Sequence, residues 1–187
     1  MDKRTFIALP VTISDSLKNQ IRLLKDELKG MNVKWVETEN MHLTLSFLGN
    51  TSLEQVKQIV LRVKEITSFY KAFPTRLKGL GAFKNVHNPQ VLWIGIEADP
   101  TLELIYGDIQ KVVDELGFDI ESRPFKPHLT LGRVKSCSND NNLKELFQKV
   151  AGKIDETFIS NTIVYYESTL TPAGPVYKPI SVFQLED

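Results

Sequence analysis

The sequence predicts an α+β fold of two pseudo-symmetric lobes, each a mainly antiparallel sheet with helices on its outer face. Three observations carry this. The tetrapeptide His-Leu-Thr-Leu occurs twice, at residues 42–45 and 128–131, in a chain of 187 residues with 3 histidines. The order of elements repeats, with a strand, a helix, a motif strand, a helix and a further strand in each half. Two consecutive strands near the C-terminus have no helix between them, and no glycine-rich loop of a nucleotide-binding parallel sheet is present.

Residues 5–9 are an apolar run and make the first strand. Ser14 or Asp15 caps a helix to residue 29, with Leu17, Ile21, Leu24 and Leu28 at helical spacing and Gly30 closing it. Residues 33–36 read as a strand, and 41–48 as the strand holding the first motif, broken by Gly49 and Asn50. Thr51 or Ser52 starts a second helix whose stripe is Leu53, Val56, Ile59, Val60 and Val63. Residues 74–80 and 91–98 are strands around a turn containing His87, Asn88 and Pro89. Asp99 caps a third helix with Pro100 in its first turn, and its stripe runs through Leu102, Ile105, Ile109, Val112 and Leu116 to Gly117.

Residues 129–134 form the second motif strand, and Asn141 or Asn142 opens a short helix to residue 150. The last two strands are 157–166 and 176–183, separated by Thr171-Pro172-Ala173-Gly174-Pro175. The motifs begin 86 residues apart, at 42 and 128. The same offset carries Ser52 to Ser138, beside the short later helix, and Pro74 to Ser160, inside a later strand. Agreement over several elements points to internal duplication, so 1–187 is read as a single bilobal domain with one motif per half.

Hydrophobic content of 42% and charged content of 25% are ordinary for a globular chain. Lysine plus arginine and aspartate plus glutamate both number 23, so the formal charge is +0. That balance argues against a non-specific duplex binder, which needs excess cations, but allows a local basic cluster at a pocket. Cys137 is the only cysteine and excludes an intramolecular disulfide; its polar surroundings make it structurally neutral. Without a hydrophobic leader or a membrane-length apolar run, the expectation is a soluble cytoplasmic protein.

In a strand, residues i and i+2 share a face, so each motif aims one imidazole and one hydroxyl at one side while two leucines anchor the other. His42 and His128 near neutral pH suit general acid–base work on a phosphodiester, one removing a proton from water and the other protonating the departing oxygen. Thr44 and Thr130 can donate to the non-bridging oxygens. The two His-Thr pairs suit that geometry without a metal, and a zinc site, which wants three protein ligands, has neither a His-X-X-X-His pair nor a cysteine pair to point to it. His87, without a partner threonine, reads as an exposed loop residue. Arg123 and Arg133 flank the second motif as phosphate-binding candidates. Arg133 has the parity of Leu129 and Leu131, so it shares the His128 face only if the strand twists or bulges. Phe47, Phe125 and Tyr177 could stack on a base, although the parity of Phe47 assigns it to the core, with Trp35 and Trp93.

At these residues the chain resembles the 2H phosphoesterase superfamily, and within it the RNA 2′,3′-cyclic phosphodiesterases once described as 2′-5′ RNA ligases. The resemblance extends over Arg4-Thr5-Phe6-Ile7-Ala8-Leu9, Trp35-Val36 to Met41-His42-Leu43-Thr44-Leu45-Ser46-Phe47-Leu48-Gly49, and Arg123-Pro124-Phe125-Lys126-Pro127-His128-Leu129-Thr130-Leu131-Gly132-Arg133. It implies motifs facing across a central cleft and metal-independent hydrolysis of RNA 2′,3′-cyclic phosphate ends to 2′-phosphomonoesters, with no cofactor. It also implies that His42 is the proton donor, His128 the acceptor, and that Thr44 and Thr130 hold the phosphate. The residues alone leave donor and acceptor open, because the motifs are identical. An RNA with a cyclic phosphate terminus is the implied partner, with a monomer and no obligatory protein partner. Competing readings are an RNA-end binding or ligase-accessory protein with little turnover, and a cyclic phosphodiesterase of small nucleotides.

Overall fold

Two antiparallel sheets divide the strands in the computed structural model, which describes residues 2–84, 89–97, 99–136, 145, 147, 150, 152–172 and 174–186. The first sheet runs, in spatial order, β3 (His42–Thr51), β1 (Lys3–Pro10), β8 (Thr162–Thr171) and β9 (Gly174–Gln184). The second runs β2 (Asn32–Trp35), β6 (His128–Ser136), β5 (Val91–Glu97), β4 (Phe73–Phe83) and β7 (Asp155–Ser160). Helices α1 (Asp15–Glu27), α2 (Leu53–Thr67) and α3 (Pro100–Glu115) connect them. The α+β class and the antiparallel sheets are as the sequence predicts. His87, Cys137 and most of the short helix expected up to residue 150 lie outside the described residues; Glu145, Phe147 and Val150 are helical.

The helix starts follow their capping residues. Ser14 Oγ accepts from the Leu17 amide at 3.0 Å, and Asp99 Oδ1 accepts from the Thr101 amide at 2.8 Å. Ser52 and Gln55 form a reciprocal capping box, which satisfies two amides that the first turn leaves without partners. The predicted stripes are buried at Leu17, Ile21 and Leu24 in α1 and at Leu102, Ile105 and Ile109 in α3; in α2 Ile59 and Val63 are buried, whereas Leu53, the first residue of its expected stripe, is exposed. The buried residues meet Ile7, Leu9, Leu43, Ile94 and Leu129 from the sheets in one core cluster. Each such aliphatic side chain contributes about 1.5–3 kcal/mol by leaving water.

The sheets do not coincide with the halves of the chain. Strands β2 and β4 precede residue 94 yet join the second sheet, while β8 and β9 return to the first. One expectation needs correction here: the single strand anticipated at 157–166 is two strands in different sheets. The chain leaves β7 and enters β8 at Asn161. Ser160 is buried and bonded to Thr75 across β4, and the Asn161 carbonyl accepts from the Leu185 amide at 2.9 Å. No glycine or proline marks the switch; its one sign is the polar triplet Ser160-Asn161-Thr162 between the apolar runs of the two strands. Among the described residues no helix is long and apolar enough to cross a membrane.

Gly81 of β4 pairs with Trp93 of β5, and the indole lies over it so closely that a Cβ would overlap the ring. Gly81→Ala should therefore cost about 1–3 kcal/mol by overpacking. Thermal unfolding would read this as a Tm lowered by about 2–4 °C per kcal/mol. An unchanged Tm would mean that the indole swings aside freely.

Candidate active site

Pairing between β1 and β3 fixes the faces of the first motif. Pro10 is opposite His42, Leu9 opposite Leu43 and Ala8 opposite Thr44, so His42 and Thr44 share one face and Leu43 points to the core. Ile7 then pairs with Ser46, which leaves Leu45 as an extra residue. This is a bulge, and it reverses the alternation beyond it. Phe47, opposite Phe6, returns to the His42 face and is 52% exposed rather than in the core as its parity suggests. The Leu45 carbonyl, pushed out of the ladder, accepts from Gln110 Nε2 of α3 at 3.0 Å.

The second motif repeats the device. Gly95 is opposite His128, Ile94 opposite Leu129 and Trp93 opposite Thr130, but Leu92 pairs with Gly132, so Leu131 is the extra residue. Its carbonyl accepts from the Val36 amide at 2.8 Å. Arg133 thereby comes to the His128 face through the irregularity on which its role depended. Trp93 lies on the same face and is half-buried, with its indole 6.4 Å from the His128 ring, which corrects its assignment to the core. The cleft face thus reads His42, Thr44, Phe47 on one strand and His128, Thr130, Arg133 on the other.

These six side chains line one cleft of about 420 Å³, joined by Lys34, Trp35, Val36, Glu37 and Asn40 from β2 and its continuation, and by residues of the β8–β9 hairpin including Tyr177. Trp35, expected in the core, also reaches this wall while half-buried, with the Lys25 ammonium 5.5 Å from the centre of its ring. Arg123 is not among the lining residues. Its guanidinium forks onto Glu121 with bonds of 2.9 and 2.7 Å, and its side chain is 82% exposed. Phe125 stacks on Tyr106 at 3.8 Å and ties the segment before His128 to α3. Sequence reasoning missed Lys34. A four-residue strand shows no usable period, and only its pairing with β6 brings Lys34 to the site.

The two imidazoles are held alike. His42 Nδ1 lies 2.7 Å from the Asn40 carbonyl, and His128 Nδ1 lies 2.7 Å from the Lys126 carbonyl. A carbonyl only accepts, so Nδ1 carries the proton and Nε2 is left as the nitrogen free to exchange one in the cleft. Burial lowers both pKa values below 6.5 by penalising the charged ring. For His42 the His128 charge lowers it further; for His128 the Lys126 and Arg133 charges do so. The surroundings differ: His42 is packed among Phe6, Tyr166 and Tyr177, with ring centres 4.9–6.4 Å away. His128 meets the edge of Phe83 at 4.7 Å, and the Lys126 ammonium lies 5.0 Å from the centre of the neighbouring Trp93 ring.

Among the described residues, neither Thr44 nor Thr130 engages its hydroxyl with a protein partner, whereas Thr5, Thr51, Thr75 and Thr171 do. Two free hydroxyls beside two basic nitrogens suit a tetrahedral oxyanion. Among the described residues no group of three or more His, Cys, Asp and Glu side chains gathers to hold a metal ion.

Known proteins share the family and the fold of this chain. The model of the family described as LigT-like phosphoesterase matches twice, at residues 7–93 and 94–177. An Archaeoglobus fulgidus protein named RNA 2′,3′-cyclic phosphodiesterase is 34% identical over 182 residues, covering 97% of this chain and 99% of that protein. A Methanocaldococcus jannaschii protein of the same name is 34% identical over 177 residues, 95% of this chain and 98% of its own. Among solved structures, a Thermus thermophilus protein aligns with a TM-score of 0.79 at 24% identity over 97% of each chain. E. coli LigT complexed with 3′-AMP aligns with a TM-score of 0.79 at 22% identity over 100% of each chain; both likenesses concern the fold.

Proposed function

This chain belongs to the LigT-like phosphoesterase family, and we propose that it hydrolyses RNA 2′,3′-cyclic phosphate ends to 2′-phosphomonoesters by paired-histidine acid–base catalysis. The observation that carries the reading is the meeting in one cleft of two imidazoles with matching Nδ1 anchors, each two residues before a free threonine hydroxyl. The shared name of the curated relatives supports the substrate. The two motifs and their mirrored bulges support descent of the bilobal domain from a duplicated half.

In the proposed reaction His128 Nε2 takes a proton from water as the water oxygen bonds to phosphorus. The bond from phosphorus to O3′ breaks, and O3′ receives the proton of His42 Nε2. The phosphate stays on O2′, and solvent then returns the protons. Thr44 and Thr130 donate to the non-bridging oxygens, where charge builds. The roles have physical support. His42 is the more deeply buried, so a bound anion raises its proton affinity more strongly. His128 sits beside Lys126 and Arg133, which favour its neutral form. Phe47 offers an exposed ring for a base, with the Arg4 guanidinium 4.9 Å from its centre. The groups named supply every proton transfer, so the reaction is written without a metal.

The test is product analysis on an RNA fragment ending in a cyclic phosphate, with a chelator present. A 2′-phosphate is the expected product; a 3′-phosphate or no turnover overturns the reading. The pH dependence gives a second check. Productive enzyme needs one imidazole charged and one neutral, and both free-protein pKa values are depressed below 6.5. The kcat/KM profile should therefore be a bell with its maximum below that value, falling at lower pH as the base protonates and at higher pH as the acid loses its proton. A bound phosphate favours the imidazolium, so the alkaline limb of kcat should lie at higher pH than that of kcat/KM. A kcat/KM bell centred well above neutrality would contradict this.

A further inference from the structure

We propose that Tyr106 and Gln110, one turn apart on α3, are positioning residues that bracket the two histidine motifs and hold them at one fixed separation. This rests on the function proposed above and deepens it. Residues four apart on a helix share a face. From that face Gln110 Nε2 donates to the Leu45 carbonyl at 3.0 Å, inside the bulge of the His42 strand. From the same face the Tyr106 ring lies on the Phe125 ring, with centres 3.8 Å apart and planes 10° from parallel. One helix thus joins a strand of the first sheet to the approach to a strand of the second. Neither residue is among those lining the cleft, so neither is placed to touch substrate.

Each contact reaches an imidazole by a short route. Leu45 directly follows Thr44, and its carbonyl stands out of the ladder, so Gln110 supplies the partner that a regular strand would supply. The bulge at Leu131 differs, because its carbonyl is met by a backbone amide, that of Val36. The first bulge therefore depends on a side chain. On the other side, Phe125 precedes Lys126, whose carbonyl accepts the Nδ1 proton of His128. Residues 118–127 belong to neither helix nor strand, so no ladder fixes that carbonyl. The stack holds it from one end, and the Ile96 amide, donating to the Pro127 carbonyl at 3.2 Å, holds it from the other. Ile105 and Ile109 share one core with Leu43 and Leu129, but apolar burial is non-directional and sets distance more than register. A hydrogen bond and a ring stack have preferred directions and fix register. The helix is itself tied to α2 and the residues just after it: Tyr70 Oη donates to Asp108 Oδ2 at 2.7 Å, and Arg62 pairs with Glu115 at 2.6 Å.

The experiment measures kcat and KM on an oligonucleotide ending in a 2′,3′-cyclic phosphate, well below the Tm of each variant. Gln110→Met keeps the length of the side chain and loses the donor; Tyr106→Leu loses the stack, and Tyr106→Phe keeps it. Gln110→Met and Tyr106→Leu should each lower kcat about tenfold with KM little changed, short of the roughly 10²-fold loss that a 1 Å misplacement can cause. Tyr106→Phe should match wild type. The variant combining Gln110→Met with Tyr106→Leu should lose less than the product of the two, because a bracket is released when either end goes. Losses that multiply, a loss confined to KM, full rates in both single variants, or Tyr106→Phe as slow as Tyr106→Leu would each overturn the proposal. A second readout needs no turnover. Saturating inorganic phosphate should shift the imidazole NMR signals of both His42 and His128 in wild type, with the His42 response reduced in Gln110→Met and the His128 response reduced in Tyr106→Leu. Wild-type rings that do not both respond, or variants that respond as wild type does, reject the bracket. If no cyclic phosphate is hydrolysed, the function proposed above fails, while the phosphate response still decides the bracket.

Discussion

His42→Ala and His128→Ala should each lower kcat by about 10²–10⁴ on an oligonucleotide ending in a cyclic phosphate, the usual worth of a positioned acid or base. Affinity for the product should change far less, because proton transfer is felt in the transition state and not on binding. The double variant should lose little more than the worse single variant, since an acid and a base in one concerted step act as a unit. The two variants should also differ. Without His42 the alkaline limb of the pH profile should vanish, and without His128 the acid limb should. Full activity in either single variant would falsify the pairing, and exchanged limbs would reverse donor and acceptor. Both rings contact aromatic neighbours, so the Tm of each variant must accompany the rates to separate lost chemistry from lost packing.

Much of this site can be read from the chain, and what cannot has a definite physical cause. Alternation places His42 with Thr44 and His128 with Thr130, and the leucines between them are buried as that period requires. Alternation then fails at Leu45 and Leu131. A bulge is set by which amides find partners across the ladder, not by the hydrophobicity of the bulged residue, and both bulged residues are leucines like their neighbours. Parity alone misplaces Phe47 and Arg133, because both lie past a bulge; Trp93, expected in the core as a large aromatic, is instead half-buried opposite Thr130. One hint was available in the first motif strand. Leu48 has the parity of His42 yet is apolar, which a regular strand with one polar face would not place there. Strand exchange between the sheets leaves less: the polar triplet Ser160-Asn161-Thr162 marks the break between β7 and β8, but nothing in either strand says which sheet receives it. Lys34 is invisible for the same reason, since only its pairing with β6 brings it to the cleft wall.

Thr44→Ala and Thr130→Ala should each reduce kcat by about 10²–10³, the range found when one donor to a developing oxyanion is removed. The expectation comes from what the hydroxyls do not do. Other threonines of the sheets bond to protein, as Thr75 does to Ser160, whereas these two have no protein partner among the described residues and stand two positions from the imidazoles. A hydroxyl that only filled space would be replaced without loss by valine, which has nearly the same shape. A donor would survive replacement by serine instead. Thr→Ser should therefore keep most of the rate and Thr→Val should lose it at both positions. The loss should appear in kcat more than in KM, because charge on the non-bridging oxygens rises only as the reaction proceeds. If valine matched wild type, or the whole effect fell on KM, the hydroxyls would be packing or ground-state contacts. The catalytic charge would then have to be met by Arg133, whose loss should in that case prove the costlier.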